Sequence, residues 1–351
     1  MPKRLQQKKK RRPSGVRRAG RVLYRSVVLC SAVIVALFVA WKVWVRAPMQ
    51  AAPPVVAQRP DRPAPTDDPS TDIDESKETP TPLVRKEGFY TFLLAASDQG
   101  GGNADTIMVV SYDTVAQKVG VVSIPRDTLV DVPGQKVPKI NASYRGEDPA
   151  DHLRDVVSDL MGFPIDYYIT VNIKAFKAIV DAVGGVDFYV PCDMDYDDPT
   201  QDLYIHYKEG QYHLTGQQAM EVVRFRHNND GSGYTDVGRT QTQQKLLSAM
   251  AKKVLSWSSV PKIKDFVEIF AKYVKSDLDV NYMAWFATQA LSLDTETGIS
   301  FETLPGDGTV KYKGVTWCYE LEPVETLDIF NRLLNPYTTD LTMDMVHIFQ
   351  A

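Results

Sequence analysis

YYITVNIKAFKAIVDAVGGVDFYV, residues 167–190, carries the strongest fold signal in this 351-residue chain. Tyr167 to Val171 is aromatic and β-branched, the composition of a strand. Asn172 then offers a short side-chain oxygen where a helix needs an acceptor for its free amides. The apolar spacing beyond it predicts a helix through Val183. Gly184 and Gly185 supply the left-handed backbone that ends helices, and Val186 to Val190 reads as the next strand. A strand–helix–strand unit argues for an α/β sheet with helices on its faces. Strands are predicted at Phe89–Ala95, Thr106–Tyr112 and Lys118–Ile124, and helical periodicity at Pro149–Leu160. Gln217–Arg226 reads as a short helix running into a strand-like end. Asp236 or a neighbour starts a long helix, Arg239–Trp257, and further helices are predicted at Phe266–Tyr273 and Tyr282–Leu291.

The chain around this unit is not uniform. Residues 1–25 hold eleven Lys or Arg and no acid, and Ser26–Val45 is apolar but for Lys42. Twenty residues at helical rise span about 30 Å, the thickness of a bilayer core. The basic flank precedes the run, so the tail is expected in the cytoplasm and the rest outside. A cleaved signal peptide would have a shorter apolar run and small residues at its end; this one ends Trp41-Lys42-Val43-Trp44-Val45. The expected organisation is therefore a basic cytoplasmic tail (1–25), a transmembrane anchor (26–45), a Pro-rich linker (46–87) and one exported domain (88–351). The linker has nine prolines and no aromatic residue, a composition that builds no core. At about 3.1 Å per residue it would reach roughly 130 Å.

Beyond Val45 the chain keeps 28 basic residues against 44 acidic ones, a net −16. That charge suits nucleic acid poorly, since affinity there rests on neutralising phosphates, and no nucleic-acid partner is expected. The basic tail can touch anionic lipid or serve only as a topology signal. Cys192 and Cys318 are both on the exported side, where one disulfide is chemically allowed.

Arg126 draws attention within that acidic domain. It follows the apolar run Val119–Val122 and the strand-stopping Pro125, at the mouth of a sheet, where open α/β folds place ligands. Only seven arginines occur from Gly88 onward: Arg126, Arg145, Arg154, Arg224, Arg226, Arg239 and Arg332. Asp98 follows one predicted strand and Asp105 precedes the next, across the turn Gly100-Gly101-Gly102. Two carboxylates at adjacent strand ends can hold a hard divalent ion such as Mg²⁺, or be ordinary turn aspartates. Arg224 and Arg226, two apart on an expected strand, would share a face and suit phosphate oxygens. Asp236, Arg239 and Gln243 are spaced three and then four, along one helical face. Lys139, in Lys139-Ile140-Asn141, adds a point charge. There is no Walker loop, no strand–GxGxxG–helix, no HExxH and no GxSxG elbow.

In combination these segments resemble the LytR-CpsA-Psr family of cell-wall enzymes. The matching text is Ser97-Asp98, Asp105-Thr106-Ile107, Ser123-Ile124-Pro125-Arg126-Asp127, Lys139-Ile140-Asn141, Gly184-Gly185-Val186, Leu214-Thr215-Gly216, Arg224-Phe225-Arg226-His227 and Asp236-Val237-Gly238-Arg239 with Gln243-Gln244. The match spans roughly Phe89 to Lys253, and its specificity lies in order and spacing. Residue pattern and resemblance together give an α/β three-layer sandwich, with a central mixed β-sheet, helices on both faces and one preceding transmembrane helix. The resemblance implies a phosphotransferase that moves a glycopolymer from a polyprenyl-pyrophosphate carrier to a peptidoglycan hydroxyl, the muramic acid C6 hydroxyl. It implies Mg²⁺ on Asp98 and Asp105, catalysis by Arg126 with those carboxylates, and pyrophosphate binding by Arg126, Lys139, Arg224, Arg226, Arg239 and Gln243. Implied partners are the lipid-linked glycopolymer (teichoic acid, capsule or another polysaccharide), peptidoglycan and membrane lipid. Asn103 and Thr242 stand where relatives often carry arginine. The competing readings are a non-catalytic polyprenyl-lipid-binding or septum-associated membrane protein, and a membrane-tethered transcriptional regulator.

Overall fold

The structure is a computed structural model that describes residues 45–52, 83–97, 102–233, 236–255, 268–269 and 272–351. The basic tail, the apolar run up to Trp44, the middle of the Pro-rich segment and Asp98 lie outside the described residues. Among the described residues no helix is long and apolar enough to cross a membrane. The chain divides into two units. Unit one is Met1–Pro48 with Asp279–Phe286, whose described parts are an irregular stretch and the first turns of a helix. Unit two, Met49–Leu278 with Ala287–Ala351, holds the sheet.

Three strands open it: β1 (Phe89–Ser97), β2 (Ala104–Asp113) and β3 (Lys118–Ile124). Then follow α1 (Pro149–Met161), β4 (Tyr167–Asn172), α2 (Ile173–Ala182) and β5 (Val186–Val190). Three short strands, β6 (Met194–Asp198), β7 (Leu203–Tyr207) and β8 (Gly210–Leu214), lead to α3 (Gly216–Arg224) and α4 (Asp236–Leu255). The chain ends with β9 (Val274–Ser276), α5 (Val280–Ala290), β10 (Ile299–Thr303), β11 (Gly306–Tyr312), β12 (Val315–Leu321) and α6 (Pro323–Ile329).

The six-stranded sheet has the order β10-β3-β2-β1-β4-β9. It is mixed: β1–β4 and β10–β3 are parallel, the other neighbours antiparallel. One face packs Leu93, Ala95, Ile107, Val109, Val122 and Ile124 against α1 and the C-terminal turns. Leu153, Val157, Leu160 and Met161 of α1 enter that core at helical spacing. Asp148 caps α1 through the Asp151 amide, and Gly162, at φ 75°, ends it. A second core joins α2, β5, β7, α3 and α4 around Val180, Phe188, Ile205, Val222, Phe225 and Leu246.

The opening stretch folds locally as read. Asn172 accepts from the Ala175 amide at 2.8 Å, and Gly184 and Gly185 take φ of 83° and 87° after the helix. Its last strand, however, does not return to the main sheet. β5 pairs antiparallel with β8 in a separate two-stranded ribbon. Val186, Phe188 and Val190 are buried while Asp187 and Tyr189 are exposed. That alternation marks a one-sided ribbon, whereas a central parallel strand is apolar on both faces.

The Pro-rich segment is bound into unit two at both described ends. Gln50 Nε2 donates to the carbonyls of Lys86 (3.1 Å) and Phe89 (2.7 Å), and the Tyr167 hydroxyl donates to Met49 O at 2.6 Å. Asp166 lies between the ends. It accepts from Ala51 N at 2.6 Å, from Thr91 N at 2.8 Å and Thr91 Oγ1 at 2.9 Å, and from Arg85. Arg85 also donates to Ala51 O at 2.8 Å, so the two ends touch each other. The polar pair Arg85–Asp166 is what the apolar pattern could not show. No disulfide joins Cys192 to Cys318; both are thiols.

Candidate functional site

The sheet register builds the site. β2 and β3 run antiparallel with Ile107 opposite Ile124. Asp105, two residues before Ile107, therefore faces Arg126, two residues after Ile124. Arg126 Nη1 donates to Asp105 Oδ1 at 2.8 Å. Ser97, the last residue of β1, pairs with Ala104 beside Asp105. Asp98 itself is outside the described residues.

Pro125 ends β3 and turns the chain: Thr128 N and Oγ1 both return to Pro125 O, at 3.0 and 2.6 Å. The segment after it is pinned on both sides. Tyr319 N donates to Asp127 O and Leu129 N to Tyr319 O, both at 2.8 Å. Ile140 N donates to Thr128 O at 2.8 Å and Asn141 N to Arg126 O at 3.1 Å. Lys139 begins the short 3₁₀ turn Ile140–Ser143, and its side chain is 14% exposed. Its Nζ lies 3.1 Å from Asp127 Oδ1, while Asp127 Oδ2 lies 3.7 Å from Arg126 Nε. The result is an alternating row, Asp105–Arg126–Asp127–Lys139, drawn from two strand ends and a loop. Arg126 and Asp105 are 40% and 43% exposed, so the row is open to a solute.

The sequence-derived residues divide accordingly. Asp105, Arg126 and Lys139 are brought together. Arg224 and Arg226 are not on a strand: Arg224 is the last residue of α3, and Phe225 is its extended cap. The expected strand fails because Phe225 and Val222 anchor the turn in the second core. Arg224 donates to Gln201 of the β6–β7 turn. Arg226 is exposed and has no hydrogen bond or ion pair among the described residues. Asp236 and Arg239 fall in the first turn of α4, with Gln243 one turn on, as their spacing predicts; their side chains are outside the description. The neighbouring Gln244 Nε2 donates to Thr303 Oγ1 at 3.1 Å, at the end of β10.

Two participants escaped the sequence reading. Asp127 follows Arg126 directly, and only its adjacency signalled it. Gln201 had no signal, because the β6–β7 hairpin was not predicted. His227 stacks edge-on against Tyr196, ring centroids 5.2 Å apart.

For Mg²⁺, the described residues supply one suitable donor. Asp105 is a hard carboxylate with one oxygen on Arg126, which leaves the other for a cation. Among the described residues no group of three or more His, Cys, Asp or Glu is placed to hold a metal. A single carboxylate completed by waters and phosphate oxygens is nevertheless how Mg²⁺ is commonly held.

The row lies at the exposed ends of the interior strands β2 and β3 of a mixed α/β sheet, at the Ser-Ile-Pro-Arg-Asp turn. The chain belongs to the LytR_cpsA_psr family, whose model matches residues 62–334. A polyisoprenyl-teichoic acid–peptidoglycan teichoic acid transferase, TagU, of Bacillus anthracis is 35% identical over 254 residues, covering 71% of this chain and 80% of the relative. A transferase of the same description, TagV of Bacillus subtilis, is 31% identical over 256 residues, 69% of this chain and 62% of the relative. The crystal structure of B. subtilis TagV matches with a TM-score of 0.58 at 26% identity, over 70% of this chain and 95% of that one.

Proposed function

We propose that this chain is a glycopolymer phosphotransferase. It takes a glycopolymer such as teichoic acid from a polyprenyl-pyrophosphate carrier and joins it to a peptidoglycan hydroxyl. Support comes from the family, from the activity of its 35%-identical relative, and above all from the Asp105–Arg126–Asp127–Lys139 row. The acceptor oxygen attacks the sugar-bound phosphorus, and the bond from that phosphorus to the bridging oxygen breaks. The hydroxyl proton passes to a carboxylate, for which Asp105 is the described candidate. The products are a phosphodiester and polyprenyl phosphate.

Such a reaction is driven by position and by neutralising spread negative charge. Arg126 presents a planar fork to the phosphates, and Lys139 adds a compact charge held at the row by Asp127. Arg224, Arg226, Arg239 and Gln243 complete the clamp in this reading. Asp105, with Asp98, would hold Mg²⁺, which when bound supplies charge neutralisation at the pyrophosphate. The reading includes helices on both faces of the sheet, a transmembrane anchor at 26–45, a cytoplasmic N-terminus and an extracytoplasmic domain.

Arg126→Ala is the direct test, with purified lipid-pyrophosphate glycan and peptidoglycan as substrates. Covalent transfer is expected to fall about 10²–10³-fold. Unchanged transfer would sink the proposal.

A further inference from the structure

The sequence reads residues 46–87 as an extended tether, yet the residues nearest the expected membrane span are bound to the domain. Met49 O accepts from the buried Tyr167, Gln50 from its side chain reaches Lys86 O and Phe89 O, and Ala51 is bonded through both N and O. The far end is held as firmly. Thr338 N donates to Val84 O at 2.9 Å, Lys86 N to Pro336 O at 2.8 Å, and Lys86 Nζ to Asn335 O at 2.9 Å. Arg85 and Asp166 have side chains only 7% and 0% exposed, so their bonds to Ala51 are shielded from water and salt.

We propose that Asp166 and Arg85 form a clamp that docks residues 49–51 onto the domain and sets its distance from the membrane. The inference rests on the membrane-anchor reading of Ser26–Val45. Residues 46–48 alone then separate the span from Met49. At about 3.3–3.6 Å per residue that gap bridges at most ~15 Å, against roughly 130 Å for a free tether. Ala51 and Arg85 are bonded directly to each other, so the sequence between them does not lengthen the link from the span to the docked Met49. The domain would therefore be kept close to the bilayer, which suits a substrate whose carrier lipid stays there.

Two variants of the full chain in phosphatidylglycerol/phosphatidylethanolamine vesicles test this. A donor dye at Val115→Cys, on a turn, in a chain whose other cysteines are replaced, reports energy transfer to acceptor lipid. Deleting residues 53–82 and joining Ala52 to Leu83 with a short Gly-Ser link is expected to leave the transfer efficiency unchanged. Arg85→Met with Asp166→Leu removes both bonds to Ala51 while replacing the buried ion pair by apolar side chains rather than stranding one charge, and is expected to lower it. A deletion that raises the efficiency shows that residues 53–82 carry the distance, and overturns the clamp. So does a double variant that matches the parent chain. A chain that does not stay with the vesicles at all refutes the anchor reading itself, a separate failure.

Discussion

Arg85–Asp166 and Arg126–Asp105 are one chemical pair in opposite surroundings. The first is 7% and 0% exposed, the second 40% and 43%. In the first, two main-chain amides, a hydroxyl and a guanidinium saturate a single carboxylate. In the second, Asp105 spends one oxygen on one Arg126 nitrogen, and Arg126 leans towards a second carboxylate at 3.7 Å. A dry pair whose carboxylate is fully engaged fixes chain segments and offers a solute no open face, even though Arg85 Nε is buried without a hydrogen-bond partner. A wet, half-used pair contributes little to folding and can exchange a partner for a phosphate. The difference between structure and chemistry here is burial and donor count, not residue type.

The largest expected effect is at the buried pair. Asp166→Ala strands Arg85 in a dry site and removes four acceptor bonds. It should destabilise the domain by about 3–5 kcal/mol, the range for breaking a buried ion pair. Urea unfolding followed by far-ultraviolet circular dichroism measures it, and a loss below about 1 kcal/mol would erase the contrast. The exposed pair gives the converse. A double-mutant cycle of Arg126→Ala and Asp105→Ala should return a coupling of about 0.2–1 kcal/mol in stability, although Arg126→Ala alone is expected to remove most transfer. A coupling as large as that of the buried pair would mean that Arg126 is there to hold the sheet edge together.

Asp127→Asn sharpens the comparison inside the row. It keeps the main-chain bond to Tyr319 and removes the charge between Arg126 and Lys139. Transfer should fall on the order of tenfold to a hundredfold, the scale of a small misplacement of catalytic groups, with the melting temperature unmoved. Asp127→Glu should recover part of the loss. A variant with full activity would show that Lys139 needs no such partner.

The sequence exposed whatever rests on local pattern. β1 to β4, α1 and α2 were legible because apolar period, a capping Asn172 and a double glycine act over neighbouring residues. Asp105 facing Arg126 was half legible: each marks a strand end, but only the register Ile107–Ile124 makes them meet. β6–β8 and β10–β12 were not predicted. β6, Met194-Asp-Tyr-Asp-Asp198, is acidic and exposed on one side, and it is held by pairing with β7, by the buried Met194 and by bonds to Asn228 and Asn229, none of which a local pattern shows. Val223-Arg224-Phe225-Arg226 alternates like a strand, yet Arg224 ends a helix and the buried Phe225 is its cap. The Arg85–Asp166 clamp joins residues 81 apart through polar groups, which no hydrophobic period can announce.

That same acidic hairpin supplies the smallest effect, at the fully wet end of the comparison. His206 on β7 sits between Asp195, 2.8 Å from Nδ1, and Asp197, 3.1 Å from Nε2. The bond to Asp195 raises the imidazole pKa above its usual 6.5, and the negative charge of both aspartates adds to it. Because the folded-state value is raised, the favourable contribution is complete below the unfolded value near 6.5. It is lost as pH climbs through the higher folded value. The ring is 56% exposed, so water and salt screen the pair and its share of stability is small. Proton NMR of the His206 ring should give a titration midpoint above 6.5 that drops in Asp195→Asn and shrinks in high salt. A midpoint at the ordinary value in low salt would mean that the hairpin holds its aspartates apart from the ring. The gradient from saturated core pair to half-used site to screened surface would then lose its outer member.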